Sequence, residues 1–367
     1  MSAPPIIYYI SAHGYGHGAR SADILVALLR RTPEIPIIVT TDLPAAFFEA
    51  RLPGASLQLR TEAFDVGMVQ LDSIRVDVDA TLDRVWTLHE DRGRRLSSET
   101  EFLQGAGAGL VVADIPAIPL AAAAQAGVPG VAVGNFSWDW IYTPFLDRDP
   151  RWASVIDAFA ADYRRADLLL RLPFAGPMDP FGARKDIGLV ASAGTSVRGD
   201  IAARTGADPG RTWVLLSFTT LDWSPDVVRR VVKCPDVEFF TVAPLAWPGS
   251  GIHTVSRRDV PFTNVLASCD IVVSKPGFGI VSECIVNEKP LVYVDRSDFL
   301  EYPILVEGIQ SYLAHVHLPA EGLYRGELGG SLAAVMDKPP PPRTCPADGA
   351  ETAATEILAR WTGDTNT

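Results

Sequence analysis

The chain has 367 residues, 47% of them apolar and 21% charged, with a formal net charge of -12. That length and composition describe a globular protein of two domains and exclude a disordered chain. The acidic balance argues against a nucleic-acid backbone as partner, which needs a clustered cationic surface, but leaves room for one phosphorylated small molecule.

The first residues, MSAPPIIYYISAHG, lack the basic region of a secretory signal. "PIIYYIS" reads as a short buried strand and "ARSADILVALLRR" as an amphipathic helix. Between them lies a glycine-rich turn carrying His13, Gly14, Gly16 and His17. Gly14, Gly16 and Ala19, with Asp42 after the next strand "IPIIVTT", fit a dinucleotide-binding pattern. Bulky polar side chains around the turn fit it poorly, because a pyrophosphate needs bare backbone there. The other reading is a catalytic turn. An imidazole of pKa about 6.5 at a helix start suits a base that takes a proton from an attacking alcohol. His17 is the stronger candidate, and His13 also fits a purely structural role in the turn.

Residues 79–104 read as one long helix, "GLVVADI" as a strand, "IPLAAAAQAG" as a helix closed by glycine, and "VPGVAVGNF" as a strand. The stretch 109–133 is apolar but broken by Asp114, Pro116, Pro119 and Pro129, so no transmembrane segment is expected. After the last of these strands comes "NFSWDWIYTPF". There Asn135, Trp138 and Tyr142 read either as a sugar or acceptor platform or as a packed cap. Asp139 in the same segment reads as a second base or as the group that orients His17. The "DRD" at 147–149 reads as a solvated loop and not a metal site.

Pro- and Gly-rich sequence marks 176–211 as a linker between a domain at 1–175 and a second at 212–340. A proline tract then precedes a crossover helix within 341–367. In the second domain "RTWVLLSFTT", "VEFFTVA", "CDIVVSK" and "KPLVYVD" read as strands alternating with helices. The expected class is α/β, two Rossmann-like, doubly wound parallel sheets facing an interdomain cleft. Ser217, Thr219 and Thr220 follow the first strand of this domain as donors for phosphate oxygens. Lys275, Gly277 and Gly279 form a loop-to-helix turn suited to a diphosphate, with Ser282 and Glu283 on the helix that follows. The Glu283 carboxylate suits two ribose hydroxyls. Val260 precedes a helix where backbone can meet a base edge. Asp298 and Glu301 lie where donor-sugar hydroxyls would, and Asp298 also reads as a helix N-cap. Cys234, Cys269, Cys284 and Cys345 have no CxxC spacing, and read as reduced thiols of a cytoplasmic protein.

"YYISAHGYGHGAR", "VVADIPAIPLAAAAQAGVPGVAVGNFSWDWIY", "LLRLPFAGPM" and "SKPGFGIVSECIVNEKPLVYVDR" occur in order along most of the chain. As a set they resemble GT-B glycosyltransferases, both family 28 and the glycosyltransferase-like N-terminal half of plant L-arabinokinases. The resemblance implies transfer of a hexosyl-type sugar from a nucleotide sugar of the UDP type to a small-molecule or lipid-linked acceptor. It implies Glu283 on the ribose, His17 as base or transition-state ligand, inversion, and neither metal nor other cofactor. A nucleotide-sugar epimerase or hydrolase and a non-catalytic nucleotide-sugar-binding protein are the alternatives. The GHMP-kinase phosphate loop is absent, so a kinase is a poor reading. Sugar, base, acceptor and oligomeric state stay open at this level.

Overall fold

The computed structural model describes residues 3–296, 298–339 and 343–363. Residues 340–342 of the proline tract, with the boundary expected at 340/341, and the first two residues of the N-terminal segment lie outside them. The chain forms two compact units. The first comprises Met1–Val69, Asp77–Ala191 and Pro346–Thr367, and the second comprises Gln70–Val76 and Ser192–Cys345.

The first unit is built on strands β1 (Ile6–Ile10), β2 (Ile37–Thr40), β3 (Gln58–Arg60), β4 (Leu110–Asp114), β5 (Gly130–Gly134), β6 (Leu168–Arg171) and β7 (Arg184–Asp186). They form one parallel sheet in the order β3-β2-β1-β4-β5-β6-β7. β1, β4 and β5 are buried along their whole length, as their near-continuous apolar runs require in a sheet covered on both faces. Strand order reverses between β1 and β4, where Ile10 pairs with Asp114. In open α/β sheets such a switch point is where ligands bind.

The first helix spans Tyr15–Arg31, so His17 lies within its first turn and not in the loop before it. The single helix expected over 79–104 is two, Val78–Glu90 and Arg92–Gly105. They part at Asp91, whose carboxylate accepts from Arg94 and Arg95. The segment 176–211 is divided: β7 is the edge of the first sheet, and the helix Arg198–Thr205 belongs to the second unit. The last helix, Gly349–Thr362, belongs to the first unit. There Arg31 Nη2 donates to Glu351 Oε2 at 2.8 Å, and Trp361 Nε1 donates to the Pro4 carbonyl at 2.8 Å.

The second unit contains β8 (Thr212–Ser217), β9 (Val237–Val242), β10 (Ile252–Val255), β11 (Ile271–Ser274), β12 (Leu291–Val294) and β13 (His315–Leu318). They too form a parallel sheet, ordered β10-β9-β8-β11-β12-β13, with its switch point between β8 and β11. The sequence does not announce β10 and β13, short edge strands broken by His253, His315 and His317. The core of this unit includes Ile74, which packs in one cluster with Phe218, Leu221 and Trp223. Residues 70–76 are thereby an integral part of a unit whose other residues lie far along the chain. No helix among the described residues is long and apolar enough to cross a membrane.

Candidate functional site

Gly14 makes the turn from β1 into the first helix at φ +78°, a conformation that disfavours any other residue. Along that helix His17, Arg20 and Ser21 are three and four residues apart and so share one face. All three meet Asp114, the last residue of β4. His17 Nδ1 lies 2.8 Å from Asp114 Oδ1, Arg20 Nε donates to Oδ2 at 2.7 Å, and Ser21 Oγ donates to Oδ2 at 2.9 Å. Arg20 also reaches Asn135 Oδ1 at 2.9 Å.

Asp114 is fully buried, yet the Arg20 guanidinium and the His17 ring outweigh that burial and hold its carboxyl down at about 2. Arg20 Nη2 lies 2.9 Å from His17 Nδ1 as well as beside Asp114 Oδ1. Arginine cannot give up its proton, and the carboxylate can only accept. The consistent arrangement has both donors converging on Oδ1, with the Nδ1–H of His17 donating. That tautomer leaves Nε2 of a neutral His17 with its lone pair, the form a base requires. Sequence reasoning missed Asp114, Arg20 and Ser21. The available signal was a lone carboxylate ending an apolar strand.

Asp139 is not the carboxylate on His17. It sits beside the Ser137 side chain and the first amides of its own short helix, and burial raises it. Trp138 and Tyr142 are fully buried and do not present a platform. They stack on each other at 5.6 Å within a larger aromatic cluster. Their polar ends hold the loop before residue 69: Trp138 Nε1 donates to Asp65 Oδ2 at 2.9 Å, and Tyr142 Oη donates to the Gly67 carbonyl at 3.1 Å. The packed-cap reading of this segment therefore holds for both rings. His13 packs edge-on against Trp138 at 5.5 Å and accepts the Met68 amide at Nδ1. Gly16 stays exposed in the first turn of the helix, and Asn135, with its side chain on Arg20, is fully buried.

In the second unit, the C-terminal ends of neighbouring strands bring the predicted donors together. Ser217 ends β8 and pairs with Ser274 at the end of β11, and Lys275 follows directly. Thr219 and Thr220 are exposed beyond β8, but the Thr220 amide is already taken by Ser73 Oγ at 2.9 Å. Gly277 is the N-cap of the helix Phe278–Val286, which carries Gly279 in its first turn and Glu283 near its middle. Ser282 on the same helix is fully buried, and its hydroxyl has no hydrogen-bond partner among the described residues. The amide of Val260 is bonded to the Ser256 carbonyl at 3.0 Å. Asp298 is exposed with φ +54° and caps nothing, because the N-cap of the helix Glu301–Tyr312 is Leu300. Glu301 is turned inward and buried. All four cysteines are free thiols.

The first unit thus offers an oriented imidazole, and the second a loop of amides, hydroxyls and a lysine. Both lie at strand ends beside a switch point. Solved structures with this architecture include the glycotransferase of kitacinnamycin, with a TM-score of 0.62 and 14% identity over 99% of this chain and 96% of that one. The calicheamicin glycosyltransferase CalG4 aligns with a TM-score of 0.58 and 15% identity over 99% of this chain and all of that one. The fold is GT-B. A UDP-glucosyltransferase from Polygonum tinctorium aligns over 99% of this GT-B chain and 94% of its own, with a TM-score of 0.62 and 14% identity. L-arabinokinase of Arabidopsis thaliana is 28% identical over 324 residues, 87% of this chain. The chain spans about a third of the length of that relative, 31%. No family model matches.

Proposed function

We propose that the protein is a glycosyltransferase that moves a sugar from a nucleoside diphosphate donor to a hydroxyl of a small-molecule acceptor. The observation that carries this reading is the His17–Asp114 pair, an imidazole with Nδ1 committed to a buried carboxylate and Nε2 left as acceptor. In the proposed step the acceptor oxygen attacks the anomeric carbon as its proton passes to Nε2. The bond from that carbon to the β-phosphate oxygen breaks, and the electron pair leaves on the diphosphate. A single displacement inverts the anomeric centre, and no metal is required. Asp114 keeps the ring in the right tautomer and stabilises the imidazolium that forms.

A uridine nucleotide is supported by relatives of the same fold. One of them, from Phytolacca americana, is a complex with UDP-2-fluoroglucose and pterostilbene, with a TM-score of 0.60 and 15% identity. Glu283 would hold the ribose, and the loop at Lys275–Gly279 the diphosphate. One observation favours a second reading, binding without turnover: Arg20 takes both oxygens of Asp114 and compensates the charge that would otherwise support an imidazolium.

A paired experiment separates the two. UDP affinity and sugar transfer from a panel of UDP-sugars are measured for wild type, His17→Gln and Glu283→Ala. The transferase reading expects His17→Gln to lose about 10²–10⁴-fold in turnover with UDP affinity unchanged. Glu283→Ala should lose about ten- to a hundredfold in UDP affinity. UDP binding with no product from any donor and acceptor supports the second reading. No binding of any nucleoside diphosphate refutes both.

A further inference from the structure

Two cationic side chains of the second unit, Lys275 and Arg296, form no ion pair among the described residues. Lys275 follows β11, and Arg296 lies two residues beyond Val294, the end of β12. β11 and β12 are neighbours in parallel register, with Ser274 opposite Tyr293. Both residues therefore leave the sheet at its C-terminal edge on adjacent strands, next to the β8/β11 switch point. Among the described residues neither forms an ion pair or a side-chain hydrogen bond. The Arg296 guanidinium lies over the Phe299 ring, 3.5 Å from its centre, and its Nε is enclosed without a partner. An enclosed arginine donor left unpaired is costly, and so is a second cation held close to it.

We infer that Arg296 and Lys275 form a two-cation clamp for a diphosphate, with Arg296 as a donor-binding residue. This rests on the donor reading above and adds to it a residue and a proton. The groups that bear on Lys275 are Arg296 and the Asp72 carboxylate of the 70–76 segment, and Glu301 bears on Arg296. Asp72 is largely engaged elsewhere, accepting from Tyr324 Oη at 2.9 Å, from Arg75 Nε at 2.8 Å and from the amides of Ile74 and Arg75. Burial, with the Arg296 charge adding to it, pushes the Lys275 amine down to about 7. Above that pH the free site holds a neutral lysine. A bound diphosphate restores the ammonium, so binding at pH 8 takes up a proton.

The test is calorimetric titration with UDP, UMP and inorganic pyrophosphate at pH 8, in two buffers of different ionisation enthalpy. The proteins are wild type, Arg296→Gln, Arg296→Lys and Lys275→Gln, each checked for an unchanged melting profile. Wild type should take up close to one proton per UDP, and Lys275→Gln none. Arg296→Gln should weaken UDP and pyrophosphate by about ten- to a hundredfold. It should leave UMP within about threefold, and Arg296→Lys should recover part of the loss. UDP binding that is unaltered in Arg296→Gln, with no proton uptake in wild type, overturns the clamp and leaves the donor reading standing. Pyrophosphate binding that depends on Arg296, with no nucleotide binding, upholds the clamp and overturns the donor reading. Failure of every probe overturns both.

Discussion

Replacing Asp114 by asparagine keeps the shape of the side chain and removes its charge. In the wild type that charge faces the Arg20 guanidinium, only 3% exposed, and the His17 ring. Two routes give the size of the loss. The carboxyl is held at about 2 instead of 3.8, which corresponds to about 2 kcal/mol of net stabilisation of the charged form. Breaking a buried pair from one side costs more, about 3–5 kcal/mol, because the partner cation is left uncompensated. For a unit of this size, 2–5 kcal/mol lowers the melting midpoint by roughly 5–15 °C. Scanning calorimetry at pH 7 measures it directly. The pH dependence gives an independent check. A carboxyl whose folded value is depressed contributes stability that is complete above its unfolded value near 3.8 and is lost as the pH falls towards about 2. The gap between wild type and Asp114→Asn should therefore be full at pH 5 and shrink steadily below about pH 4. A variant that melts within about 1 °C of wild type at pH 7 would show that Asp114 does not anchor this cluster, and the tautomer argument for His17 would fall with it.

Two further outcomes are expected. Gly67→Ala should destabilise by about 1–3 kcal/mol, because Gly67 has φ +71° and a Cβ there would lie 2.3 Å from the His13 ring; a melt at the wild-type midpoint would contradict this. Ile74→Ala should destabilise the second unit by about 2–5 kcal/mol as a core truncation, although Ile74 lies in a loop of the N-terminal half of the sequence. Hydrogen exchange would locate that loss at β8 and β11, and a loss confined to the first sheet would refute it.

The alternation of apolar strands with helices was legible because the central strands are dominated by apolar runs, as in "IIYYI" and the "LVVA" that precedes Asp114. The histidine turn was legible as chemistry because polar rings do not belong in a bare-backbone loop. Its carboxylate was not, since Asp114 is remote in sequence and only the β1–β4 pairing brings it to His17. The aromatic run after β5 pointed equally to a platform and a cap, and only burial decides between them for Trp138 and Tyr142. Arg296 carried no local signal at all. A charge after a strand is ordinary, and only the neighbouring strand's Lys275 and the lack of an ion pair among the described residues set it apart. The inclusion of 70–76 in the second unit was also out of reach, because Leu71, Ile74 and Val76 scattered among polar residues do not say which core the segment joins.

The helix Gly349–Thr362 completes a unit whose other elements all precede residue 192. During synthesis, the face of the Tyr15–Arg31 helix that carries Arg31 must wait for Glu351, 320 residues later in the chain. The second unit closes earlier, at residue 345, although most of it is translated later. The order of synthesis and the order of completion are thus reversed, and a chain truncated after residue 345 should carry a finished second unit and a first one that proteases can still open.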